Sequence, residues 1–290
     1  MRISAFVIAS LLWGAASPAA RERASTDIAD ASWLLGLQEG SLKSRVLEVS
    51  ARFLGTPYLH SPLGEGTGVD PDPIIRFDAV DCLTFVEETL ALSVAHNPTE
   101  VVPLLLQIRY AHTPTYEDRN HLMEAEWLPN NVRKGFLRDI TRTFGGAATV
   151  RVRKVITARS WASPSSRLLK LPEPRHVIGS FEMDMVPLAD ALSRAREIPA
   201  GAILLVIREE KPRRVTRITH LGFVVQKNDR TFLRHAARSG YHRVIEEDLT
   251  AFLTRNSKYG KWPVSGIALF EPQVPAPLPG NLAASAATLP

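Results

Sequence analysis

The chain has 290 residues, 45% of them hydrophobic, enough to bury a core in one large domain or two small ones. Its net charge of +5 is dispersed, with no run of five Lys or Arg and no nucleic-acid motif. Nucleic acid is therefore not an expected partner, whereas anionic polymers in general stay open. A single cysteine, Cys82, excludes an internal disulfide.

Met1 and Arg2 precede an apolar run over residues 3–16, followed by Ser17, Pro18, Ala19 and Ala20. A positive start, an apolar stretch and a small-residue end make residues 1–20 a signal peptide, with cleavage expected after Ala19 or Ala20. The run is shorter than the roughly 20 residues that span a bilayer. The mature protein is thus expected in the periplasm or outside the cell, without stable membrane insertion. A lone thiol in an oxidising compartment is a candidate reactive group.

Residues 21–40 read as a lead-in with a short helix. In residues 41–55, Leu42, Val46, Val49 and Phe53 share one helical face, and Gly55 ends the helix. Thr56, Pro57 and Tyr58 leave it in extended form, and a Gly- and Pro-rich loop follows. Asp81 can then cap a helix that places Cys82 in its first turn, with Leu83, Val86, Leu90 and Val94 on the apolar side and Glu87 and Glu88 largely opposite. Unpaired N–H groups at a helix start favour thiolate over thiol. Against this, a lone cysteine on an apolar helix is commonly a small buried hydrophobe.

Another helix is expected over residues 99–110, with Pro103 early in it. The stretch after it carries Arg119, His121 and Trp127, and reads either as a solvated helix and turn or as a substrate-contacting insertion. Residues 149–158 alternate and are β-branched, a strand. A polar loop, a possible strand and a short helix over residues 189–198 follow. Three strands are then expected, around Ile203, His220 and His235, with Lys227, Asn228, Asp229 and Arg230 as the hairpin turn between the last two. Residues 243–249 are ambiguous, residues 265–272 form a last strand, and residues 273–290 are expected to be disordered. Helices first and an antiparallel sheet after them make an α+β fold, one domain over residues 41–272 with an insertion at about 95–200.

If the hairpin joins them, His220 and His235 lie close and on one face of the sheet. Packing the cysteine helix on that sheet would gather a nucleophile, a base and a group to orient the base. No HExxH, no CxxC and no tight ligand pair is present, so neither a metal nor a cofactor is expected.

Four segments in order, GTPY, DC opening a helix, HLGFVV and FLRHA, resemble the NlpC-type branch of papain-like cysteine peptidases, which cut bacterial peptidoglycan. The longer signature, with PLGEG, DPDP, RNH and W-x-P-N-N, resembles the branch named for N-acetylmuramoyl-L-alanine amidase activity, over roughly residues 50–272. Two features differ from the general pattern: Leu83 and Thr84 stand where Ser and Gly usually follow the cysteine, and the interval from Cys82 to His220 is long.

The resemblance implies a papain-like core in which Cys82 is the nucleophile, His220 the base and His235 the orienting group, with Tyr58 bordering the site. His60, Arg76, Asp81, Arg119, His121 and Trp127 are further candidate substrate contacts, the arginines for stem-peptide carboxylates. The implied reaction is hydrolysis of the amide between N-acetylmuramic acid and L-alanine in peptidoglycan or muropeptides, through a thioester. Cleavage inside the stem, between γ-D-Glu and the diamino acid, uses the same three groups and stays open. So do a wall-binding domain without catalysis and an acyltransferase. Nothing in the sequence sets an oligomeric state.

Overall fold

The computed structural model describes residues 32–276 apart from residue 38. The expected signal segment and the tail beyond residue 276 lie outside the described residues, as does most of the lead-in, of which Ser32–Leu37 forms a 3-10 helix. Among the described residues no helix is long and apolar enough to cross a membrane.

Eight strands form one antiparallel sheet. They are β1 (Leu137–Asp139), β2 (Val150–Ile156), β3 (Gly179–Pro187), β4 (Ile203–Arg208), β5 (Ile218–Lys227), β6 (Arg230–Ala237), β7 (Arg243–Asp248) and β8 (Val264–Pro272). The order is β2-β3-β8-β4-β5-β6-β7, with β1 also paired to β8. The central strand β4 is buried on both faces, and its unbroken apolar run Ile203 to Ile207 follows from that. Ile203, Leu205 and Ile207 pack toward α1 (Leu42–Arg52), α2 (Cys82–Val94) and α3 (Val101–Arg109). Leu204 and Val206 face the other way, into a second core layer closed by Leu249, Phe252 and Leu253 of the C-terminal helix Leu249–Ser257.

The amphipathic face expected of α1 is present: Val46, Val49 and Phe53 are fully buried. Edge-to-face contacts at 5.6 Å run from Phe53 to Phe85 and from Phe85 to Phe223. This row of rings fixes α2 between α1 and β5. Between β5 and β6, Asn228 and Asp229 both have positive φ, 47° and 57°, the two-residue turn whose twist matches a hairpin.

The second side of α2 differs from the expectation. Glu87 and Glu88 are 3% and 0% exposed, because α2 is enclosed by protein all round from Thr84 onward. Glu87 meets Arg109 at 3.3 Å and accepts the Trp127 indole N–H at 2.9 Å. Glu88 accepts the Arg76 backbone N–H at 3.2 Å. Burial pushes Glu87 up to about 7, even with Arg109 beside it.

The stretch after α3 is packed into the fold and is not a solvated helix and turn. It forms a 3-10 turn (Tyr116–Asp118), a π-helical turn (Met123–Trp127) and a short helix (Leu128–Arg133), and it buries Trp127 and Asn131 completely. The expected insertion also supplies β1, β2 and β3, so it is part of the sheet. The strand β1 and the helix Leu249–Ser257 are elements the sequence pattern did not announce, and the ambiguous residues 243–248 are β7.

Candidate active site

After α1 the chain turns at Gly55 and runs along β7. Gly55 N–H donates to Val244 O, Val244 N–H to Thr56 O and Tyr58 N–H to His242 O, at 2.8–3.0 Å. On its other side this segment exchanges Val80 N–H to Pro57 O and Leu59 N–H to Val80 O. Tyr58 is thereby fixed beside the residues that open α2.

Asp81 caps α2. Its Oδ1 accepts from Leu83 N–H at 3.0 Å and Thr84 N–H at 2.8 Å, and Thr84 Oγ1 accepts the Asp81 N–H at 2.9 Å. This reciprocal arrangement is a capping box. The Oδ2 atom accepts Ser61 N–H at 3.1 Å, which ties the exposed loop carrying His60 to the helix start. Asp81 thus acts on the helix and the loop, with both oxygens occupied by backbone.

Cys82 is the first residue of α2 and is half-buried. The β5–β6 ladder runs only from Phe223 opposite Arg234 to Lys227 opposite Arg230, although β5 begins at Ile218. The start of α2 meets β5 at the unpaired stretch, beside Leu221. Burial pushes the thiol up to about 12, and the Asp81 carboxylate pushes the same way. The N–H groups of Leu221, Cys82 and Leu83 pull it down by less. The expectation that the helix start favours thiolate is therefore reversed in the resting molecule, because burial, with the capping carboxylate beside it, outweighs the N–H groups.

Leu221 follows His220. The His220 Nε2 lies 2.7 Å from His235 Nδ1, with the rings nearly perpendicular. Both rings pack on Phe252, at 5.8 and 5.2 Å. Burial and the neighbouring His235 hold His220 well below the usual histidine range. His235 is 2% exposed, and its Nε2 faces Glu247 Oε2 at 3.5 Å. Arg255 grips both Glu247 oxygens. Against the effect of burial, His235 and Arg255 hold the Glu247 carboxyl down at about 2.

This order favours one set of tautomers. An ionised Glu247 only accepts, so His235 carries its proton on Nε2. His235 Nδ1 then accepts from His220 Nε2–H. That leaves Nδ1 as the basic nitrogen of His220.

The remaining candidates separate into two groups. Tyr58 is half-buried beside Cys82 and Asp81, and burial raises its hydroxyl pKa. The others are engaged by partners within the chain. Arg76 is held by Asp78 through two bonds of 2.7 Å. Arg119 is clamped by Glu65 and Asp70. His121 donates from Nε2 to Tyr116 O at 2.6 Å, and burial lowers it to about 4. Trp127 is 0% exposed, so it is a core residue with no surface to offer a substrate.

Glu247 and Arg255 were not singled out from sequence. A trace of Glu247 exists in the register: Ile245 lies opposite His235, and Glu247, two residues on, shares its face. Reading it required knowing that residues 243–248 are a strand. Among the described residues no group of three His, Cys, Asp or Glu side chains could hold a metal ion.

Similarity to known structures supports this fold. A Legionella pneumophila protein superposes with a TM-score of 0.74 at 24% identity, covering 90% of this chain and 98% of that one. An N-acetylmuramoyl-L-alanine amidase from Bacteroides uniformis gives 0.64 at 24% identity, covering 81% and 100%. A putative xylanase from Bacteroides fragilis gives 0.63 at 23% identity, covering 77% and 99%. These likenesses are of mixed helix and antiparallel sheet. No curated protein matches the chain. A family model described as AmiA-like, N-acetylmuramoyl-L-alanine amidase-like, matches residues 48–260, most of the sequence, and the chain accordingly belongs to that N-acetylmuramoyl-L-alanine amidase-like family.

Proposed function

We propose that the protein is an exported cysteine amidase with a papain-like, NlpC-type core. It hydrolyses the amide joining N-acetylmuramic acid to L-alanine in peptidoglycan or its muropeptide fragments. Membership of the amidase-like family supports the substrate class. The observation that carries the chemistry is the 2.7 Å bond between His220 and His235, one residue from the Leu221 N–H that acts on the Cys82 sulfur.

With the thiol held high and His220 held low, both groups rest neutral, and proton transfer accompanies attack. Cys82 Sγ bonds to the lactyl carbonyl carbon while its proton passes to His220 Nδ1. The oxyanion is held at the start of α2 by the backbone N–H of Cys82, since those of Leu83 and Thr84 serve Asp81. The C–N bond breaks and His220 returns the proton to the departing alanine amine. Water then gives a proton to His220 and adds to the thioester. Release of the muramoyl carboxylate restores the thiol. His235 and Glu247 hold the proton on His220 Nε2 throughout.

The test is mass analysis of products from defined muropeptides. The expected products are intact stem peptide and free N-acetylmuramic acid saccharide, with Cys82→Ala inactive and EDTA without effect. A shortened stem would place the cut inside the peptide. Full activity of the alanine variant would remove Cys82 from the reaction.

A further inference from the structure

Arg76 and Arg119 are occupied by the chain's own carboxylates, so cations open to a substrate lie elsewhere. The turn between β6 and β7 holds two. β6 ends at Ala237, two residues past His235, and β7 begins at Arg243. The turn bends at Gly240 (φ 81°) and His242 (φ 52°). It lies against the segment carrying Tyr58: the His242 carbonyl accepts Tyr58 N–H at 2.9 Å, and Arg243 bridges Pro57. Arg238 is exposed and lies close enough to act on the Tyr58 hydroxyl, as does Asp81. Arg234 and Arg255 are each paired with a glutamate. Among the described residues neither Arg238 nor Arg243 has such a partner.

An unpaired, exposed guanidinium beside the Tyr58 segment suits a carboxylate, which it can take through two parallel N–H···O bonds. In a muropeptide the lactyl carboxyl is tied up in the amide, so the free carboxylates lie on the peptide. We propose that the β6–β7 turn, through Arg238 with Arg243 beside it, binds a free carboxylate of the stem peptide. The reading rests on the amidase assignment above, and it makes the site selective for acidic stems over amidated ones.

Two measurements test it. In the first, Cys82→Ala protein is titrated with N-acetylmuramoyl-L-alanyl-D-glutamate as the diacid and as the diamide. The diacid is expected to bind about tenfold more tightly, less so as salt rises. Adding Arg238→Gln should bring the ratio close to one, Arg238→Lys should keep part of it, and Arg196→Gln on the distant β5–β6 side should leave it alone. In the second, kcat/KM for the two ligands is compared in otherwise wild-type protein. Arg238→Gln should lose the preference through KM. Matching thermal melts confirm that the variants fold. Equal binding of diacid and diamide, or a preference that survives Arg238→Gln, overturns the subsite. The titration needs no turnover, so failure of the amidase reading shows separately as absent cleavage. Absence of any binding overturns the subsite as well.

Discussion

Gly222 on β5 and His235 on β6 approach so closely that a Cβ on Gly222 would stand 2.8 Å from His235 Cβ and 2.6 Å from Arg234 O. The second neighbour is backbone and cannot swing away. Gly222→Ala must therefore push β5 from β6 at the place where His220 meets His235. The expected cost is about 1–3 kcal/mol in urea denaturation, as for other overpacked interiors. Turnover should fall by about tenfold or more, since small displacements of catalytic groups are costly. Unchanged turnover in a folded alanine variant would show that the imidazole pair tolerates displacement.

The two imidazoles are ordered from behind by Glu247. Glu247→Gln keeps the size but can present an N–H to His235, which would move the His235 proton to Nδ1 and break the tautomer sequence. The expected loss in kcat is about a hundredfold, within the range for general acid–base groups, with KM little changed. The carboxyl is held at about 2 in the fold, below the 4.5 of a free glutamate. Its stabilisation is thus whole above pH 4.5 and is lost as pH falls through about 2. A Glu247→Gln protein with wild-type kcat would remove this residue from the relay.

Glu87 has the opposite sign. Its folded value, about 7, lies above its free value of 4.5. The stability tied to its protonated form is whole below pH 4.5 and is lost as pH rises through about 7. The swing amounts to a few kcal/mol at most, since each tenfold change in proton affinity is worth about 1.4 kcal/mol. Glu87→Gln imitates the protonated acid and can still accept from Trp127 Nε1. Its unfolding free energy should therefore vary less between pH 4.5 and about 7 than that of the wild type, with the two proteins similar near pH 4.5. Parallel profiles across that range would mean that Glu87 titrates normally.

Why these effects divide as they do bears on what the sequence could show. The apolar spacing of Val46, Val49 and Phe53, the Asp81 cap and the Asn228–Asp229 turn are local features, and local rules found them. The same turn sets the register that brings His220 to His235. Arg119, Trp127 and Glu87 are different. A polar run reads as surface until distant partners are known, and these partners lie far along the chain: Glu65 and Asp70 for Arg119, Glu87 for Trp127, and Arg109 for Glu87. Glu247 escaped for the same reason, since its meaning comes from a strand pairing and from Arg255.

Asp81 offers the sharpest separation of charge from structure. Its carboxylate caps α2 and also raises the Cys82 thiol. Asn caps a helix about as well as Asp, so Asp81→Asn should keep α2 and remove the charge. The thiol should then titrate lower than about 12. In wild-type protein, iodoacetamide labelling of Cys82 is expected to be slow near neutral pH and to climb about tenfold for each rise of one in pH, with no plateau below about pH 10, because only the thiolate reacts. In Asp81→Asn the same curve should move to lower pH. Asp81→Ala should move it too, but with a loss of about 1 kcal/mol from the missing cap. A plateau near neutral pH in the wild type would instead indicate a thiolate already formed against His220, and the proton would then move before attack rather than with it.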